Sequence, residues 1–205
     1  MSEQKTPSSD LKRLILDTTR RMLVSEGYAN LSMRKIAREI GYSATSIYLH
    51  FKNKDALFHA LIDEGMNMLL RRQEDIAARY ANRVSEKLKA LCHGYIDFGL
   101  GVPEYYEIMF LQHPKLSERF PIESFRRARK NLSLVRDTLD EGVRKEKFEV
   151  HDANATTNVI WASLHGAVSI LLAKRLDIHV DQAQFVNDVV DQVLRSVEVK
   201  MPILD

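Results

Sequence analysis

Ser43, Thr45 and Ser46 place three small hydroxyls within four residues, and Tyr48, His50, Lys52 and Lys54 follow as larger donors. Short groups at the start of a helix can lie against base edges in a major groove without steric clash. The longer cationic and phenolic side chains behind them suit phosphate oxygens. The chemistry on offer is hydrogen bonding to a duplex, with no covalent bond made or broken. The bland alternative is the solvated face of an ordinary helical hairpin. The choice between the two rests on the elements that must hold these side chains.

Those elements are legible in Ser32 to Phe51, SMRKIAREIGYSATSIYLHF. A helical period puts Met33, Ile36, Ala37 and Ile40 on one face. Gly41 falls where a helix end needs a residue that tolerates a left-handed backbone. Ser43 can cap a second short helix whose apolar face is Ile47, with Tyr48 or Phe51 beside it. Ala37 is small enough for the two helices to approach closely. The pattern is a helix-turn-helix over 32–51.

The same residues carry a family resemblance. Gly27, Tyr28, Ser32, Ile36, Ala37, Gly41, Ser43, Ile47, Tyr48, His50, Phe51, Asn53, Lys54, Asp55 and Leu57 fall in the pattern of the DNA-binding domain of TetR-family transcriptional regulators. Ser32 stands where Thr is commoner, and Tyr42 where Val is. Further on, Trp161 to Gly166 (WASLHG), after PEYYEIMF, resembles a W-x-x-x-H-G subclass of the family's regulatory domains. The resemblance implies an all-α chain of nine or so helices whose last two form a dimer. It implies a three-helix DNA-binding domain over 1–55 and a ligand-binding and dimerisation domain over 56–205. The residues expected to meet DNA are Ser32, Arg34, Ser43, Ala44, Thr45, Ser46, Tyr48, His50 and Lys54.

Composition agrees with this division. Of 205 residues, 45% are hydrophobic, enough for a substantial core. Residues 1–55 hold ten Lys/Arg against six acids, while the remaining chain is slightly acidic. A basic head on a near-neutral body fits a head that meets phosphate. The N-terminus has no apolar leader core, and no uninterrupted apolar run approaches the ~18 to 20 residues of a membrane span. The single cysteine, Cys92, sits among Leu88, Leu91 and Tyr95 and reads as a buried structural thiol in a reducing cytoplasm.

Ahead of the motif, Leu11, Leu14, Ile15, Met22 and Leu23 form the apolar stripe of a first helix ending at Gly27. Asn53 caps a fourth helix whose apolar positions continue through Leu61, Ile62, Met66 and Leu69, making it a lever from head to body. Tyr95, Phe98, Tyr106, Met109, Phe110, Phe125, Trp161 and His165 concentrate aromatic and soft side chains in the body. For each alone, core packing is the plainer explanation; together they suggest a pocket for a small apolar or aromatic effector. TNVIWASLHGAVSILLAKRL is apolar almost all round. The last helix has two apolar stripes, Phe185, Val189 and Val193 beside Val186, Val190, Leu194 and Val197. Two such helices argue for a homodimer built as a four-helix interface.

No nucleophile elbow, phosphate loop or HExxH motif is present, and the seven histidines are scattered. An enzyme, a cofactor and a metal site are therefore not expected, and no catalytic residue is assigned. The reading is a dimeric repressor of a palindromic double-stranded operator, released by the effector, with no membrane partner. The alternative is a dimeric DNA-binding regulator with no small-molecule ligand.

Overall fold

The computed structural model describes residues 8–111 and 122–199, with side chains described over 10–111 and 129–199. Among the described residues the chain is all-α, with nine α-helices and no strand. These are α1 (Ser8–Glu26), α2 (Met33–Glu39), α3 (Ala44–Tyr48), α4 (Lys54–Arg79), α5 (Val84–Gly101), α6 (Pro103–Tyr106), α7 (Ile122–Arg144), α8 (Ala153–Leu172) and α9 (Gln182–Val197). A 3-10 turn over Tyr28–Asn30 follows α1, and a π turn over Glu107–Leu111 follows α6. The contacts group into two compact units, 1–65 with 104–124, and 66–103 with 125–205.

In the first unit, α1 buries Leu11, Ile15, Met22 and Leu23 as its period requires. Leu14 does not join them: it is 39% exposed, outside the arc of the helix that faces the core. Leu16, Thr18 and Thr19 complete that arc instead, and the Thr19 hydroxyl is satisfied by the Ile15 carbonyl at 2.7 Å. Ile36, Ile47, Leu57, Phe58 and Leu61 fill the space beneath it.

Long-range polar contacts bring α6 into this unit. Arg20 donates to Glu104 at 2.8 Å and to the Tyr105 hydroxyl at 3.0 Å, with its guanidinium 4.9 Å from the Tyr105 ring centroid. Arg13 is paired with Asp17 and with Glu64 of α4, and the Asp17 contact in particular raises its pKa. Beneath these pairs Tyr105, Tyr106 and Ile108 are buried. The first unit thus reaches past residue 55 to Gly65 and recruits a segment distant in sequence.

In the second unit, α5, α8 and α9 pack on one another. Leu88, Leu91, Cys92, Ile96, Ile160, Leu164 and Val168 are buried. Lys87 is buried too, and its ammonium lies 2.6 Å from Glu141. Lys145 and Lys87 together hold the Glu141 carboxyl below the usual carboxylate range. Backbone bonds between Glu149 and Val197 and between Val199 and Lys147 tie the chain after α7 to the end of α9.

Two sequence expectations change here. The 20 residues of α8, at mean hydropathy 1.3, do satisfy the length and composition of a membrane span, although the helix packs against α5 and α9. The second correction concerns α9, where Val190, Val193, Leu194 and Val197 are buried within their own chain. That leaves Phe185, Val186 and Val189 half-buried as its remaining apolar surface.

Candidate functional site

The Ser32 hydroxyl caps α2 by accepting from the Lys35 amide at 3.2 Å. At the other end Gly41 adopts φ +73°, with the Tyr42 amide bonded to the Ala37 carbonyl and the Gly41 amide to that of Arg38. This paired pattern is a Schellman turn, and its left-handed residue is favoured as glycine because it lacks Cβ. Ser43 then caps α3, accepting from the Ser46 amide at 3.1 Å. Ile47, fully buried, locks α3 in a fixed rotation against Met33, Ile36 and Ala37, which are also buried.

That rotation decides which side chains look outward. Thr45 is exposed, as are Ser32, Arg34 and Ser43. Ala44, Ser46 and His50 are half-buried, and Tyr48 is 53% exposed. The Ser43 and Ser46 hydroxyls lie 2.9 Å apart, so each already has a partner. Leu49, absent from the sequence-based set, is 82% exposed beside Tyr48. Its signal was available: it lies one helical turn beyond Thr45.

Lys54 opens α4 beneath this face. Its ammonium sits 4.3 Å from the Tyr28 ring centroid and 3.4 Å from the Tyr28 carbonyl oxygen. The Tyr28 hydroxyl donates to Asp55, and its ring packs edge-on against Phe58 with centroids 5.4 Å apart. Tyr28 therefore holds Lys54 from a packed base. Asn53 caps α4 by accepting from the Ala56 amide at 2.8 Å.

The effector candidates are divided between the units. Tyr106, Met109 and Phe110 belong to the first; the Tyr106 and Phe110 rings are tilted with centroids 4.9 Å apart. Tyr95, Phe98, Trp161 and His165 belong to the second. There Trp161 donates its indole N–H to the Tyr95 hydroxyl at 3.0 Å and stacks on His165 with centroids 5.2 Å apart. Partial burial pushes the His165 pKa down, favouring the neutral ring. Tyr95, Phe98 and Tyr106 are buried core residues. Phe98 also borders a groove of about 930 Å³ between α4 and α5, whose rim carries Arg72, Asp75, Arg79 and Lys89. The side chain of Phe125 lies outside the described residues.

A capped two-helix motif with an outward hydroxyl and a cationic flank defines a helix-turn-helix DNA-binding protein. Family models agree: that for bacterial regulatory proteins of the tetR family matches residues 15–61, and that for the tetracyclin repressor-like C-terminal domain matches 88–193. The chain belongs to the TetR family and is a DNA-binding transcriptional regulator, not an enzyme.

Among its relatives, an uncharacterized HTH-type transcriptional regulator of Haemophilus influenzae is 39% identical over 70 residues, 34% of this chain. That match spans only 36% of the Haemophilus protein, about a third of its length. The uncharacterized HTH-type regulator YobS of Bacillus subtilis is 24% identical over 164 residues, covering 80% of this chain and 79% of that one. The crystal structure of the transcriptional regulator FadR from Bacillus subtilis, in complex with stearoyl-CoA, has a TM-score of 0.74 at 20% identity. It covers 90% of this chain and 98% of its own, a likeness of fold.

Proposed function

We propose that the protein is a cytoplasmic homodimer that binds a palindromic operator as a repressor and releases it when a small apolar or aromatic effector binds. The observation that carries the reading is the α2–α3 motif, rigidly capped at both helices and presenting Thr45 to solvent. One such helix reads only a few base pairs, so a specific site needs two, in successive major grooves about 34 to 36 Å apart or a multiple with bending. On this reading Ser32, Arg34, Tyr48, His50 and Lys54 meet the duplex around Ser43 to Ser46. The lone buried Cys92 is consistent with a reducing compartment.

The dimer face is drawn from α8 and the outer stripe of α9. Ala155, Val159, Ala162 and Ser163 are exposed along one side of α8, Val159 at 66%, and Ile170 continues the row at 39%. Gly166 lies in the same row, and a Cβ built there meets nothing within 4 Å. A mid-helix glycine costs about 1 kcal/mol relative to alanine, and no contact among the described residues requires it. Close approach by a partner's helix supplies the reason. Phe185 and Val189 of α9 extend the face.

The effector is assigned to the Tyr95–Trp161–His165 group of the second unit. The Bacillus subtilis FadR, similar in fold, holds stearoyl-CoA, and the apolar part of that ligand, its acyl chain, is in keeping with this assignment. Burial of Tyr95, Phe98 and Tyr106 as core favours the second reading, a dimeric regulator without a small-molecule ligand. Melting the protein against a panel of apolar compounds separates the two.

The function itself is tested by selecting genomic fragments with the purified protein and measuring sedimentation at the same concentrations. Palindromic fragments bound by dimers, with affinity falling steeply as salt rises, are the expected result. Specific binding by a monomer would overturn the proposal.

A further inference from the structure

An exposed leucine on a protein surface is by itself unremarkable. Leu49 is different because of where it projects. At about 100° per residue, Thr45 and Leu49 each lie roughly 160° from Ile47, one on either side of the direction opposite the core. Leu49 keeps helical backbone angles, φ −66° and ψ −23°, so this geometry extends to it. The outermost ridge of α3 therefore carries a small hydroxyl followed one turn later by an isobutyl group that is 82% exposed. Among the described residues the fold buries little of that group, and Ile47 and Phe51, its near neighbours in sequence, supply the buried contacts.

Among base edges in the major groove, the thymine C5-methyl is the apolar feature. The other edges offer hydrogen-bond donors and acceptors, which an isobutyl group cannot satisfy and would partly desolvate. We propose that Leu49 is a specificity-determining residue that selects thymine at one position of each half-site by apolar contact with that methyl group. The reading ridge then uses two chemistries in series, a hydrogen bond from Thr45 and a hydrophobic contact from Leu49. Leu49 also rejects cytosine at its position, since the C4 amino group would face an apolar side chain.

The inference rests on duplex binding through α3, and the experiment keeps the two separable. A duplex selected by the wild-type protein is resynthesised with each thymine replaced in turn by deoxyuridine, which removes the methyl and leaves the hydrogen-bonding edge intact. Wild type and Leu49→Ala are titrated against the series, with circular dichroism and melting as folding controls for this exposed substitution. The expected result is a symmetric pair of positions where deoxyuridine weakens wild type about four-fold per methyl. Leu49→Ala should be indifferent at those same positions and unchanged elsewhere in the series. If Leu49→Ala keeps the full wild-type sensitivity at every thymine, or weakens all duplexes equally with a shallower salt dependence, the assignment is overturned. A wild-type protein that selects no duplex overturns the DNA-binding reading itself, and this one with it.

Discussion

On the proposed reading, Thr45 chooses sequence and Lys54 anchors the duplex backbone. Thr45 faces solvent, whereas Lys54 is steadied by the ring and carbonyl of Tyr28. Thr45→Ala should change preference at one base position, by about 1 to 3 kcal/mol if its contact is well made. Lys54→Ala should weaken all sequences alike and make the salt slope shallower by about one unit. Titrating both variants against a panel of operator mutants reads the difference, and reversed behaviour would exchange their roles. A third residue reports on the core. Cys92 is fully buried, and burial pushes its thiol up from 9.0 to about 12. In the unfolded chain the thiol ionises near its ordinary value while the folded one stays neutral, so this group's contribution is lost as pH rises above about 9. The slope is about 1.4 kcal/mol per pH unit until the folded thiol itself titrates. Urea midpoints at pH 8 and 10 should therefore fall further for wild type than for Cys92→Ala at equal concentration. Equal falls would mean that the thiol is accessible to water.

At the scale of elements, the helix-turn-helix was legible because everything that defines it is local. Ser32, Gly41, Ser43 and Ile47 act within one or two turns of their own positions, through caps, a left-handed turn and a helical period. Leu14 was misjudged because its period fits α1 nearly as well as that of Leu16, and only tertiary packing selects the arc. The apolar stripes of α9 posed the same difficulty more seriously. Periodicity cannot say whether a stripe is covered by its own chain or by a partner, and Val190 and Leu194 are covered by their own. This changes how the dimer is tested. Val190→Lys should unfold the protomer, because a charge would be buried without a partner at a position with no exposure. A Cβ at Gly166 meets nothing within 4 Å among the described residues, so Gly166→Leu should leave helix content and protomer folding intact while preventing close approach of a second α8. Sedimentation of Gly166→Leu as a folded monomer is the expected outcome. A dimer of unchanged affinity would remove α8 from the interface.

At the scale of the whole chain, charge in the sequence suggested a basic head and a near-neutral body but gave no sign that α6 groups with α1. Its place in the first unit depends on Arg20 meeting Glu104 and Tyr105 across more than eighty positions of sequence, which no local pattern announces. The aromatic residues that sequence suggested as one set belong to both units: Tyr95, Trp161 and His165 form one group in direct contact, and Tyr106 and Phe110 another. α4 runs unbroken from Lys54 to Arg79, contributing residues up to Gly65 to the first unit and from Met66 onward to the second. An effector that binds beside Trp161 should release the operator only by as much as it prefers the released state, and linkage requires DNA to weaken the effector by the same factor. A coupling of about 1 to 3 kcal/mol corresponds to roughly a 5- to 150-fold loss of operator affinity. Trp161, the single tryptophan, reports directly, because a ligand that disturbs its bond to Tyr95 or its stack on His165 changes its fluorescence. A releasing compound is therefore expected to alter that emission and to bind free protein more tightly than DNA-bound protein. A compound that releases the operator with unchanged emission and equal affinity for both forms would show that release runs by another route, and that Tyr95, Trp161 and His165 serve only to pack the second unit.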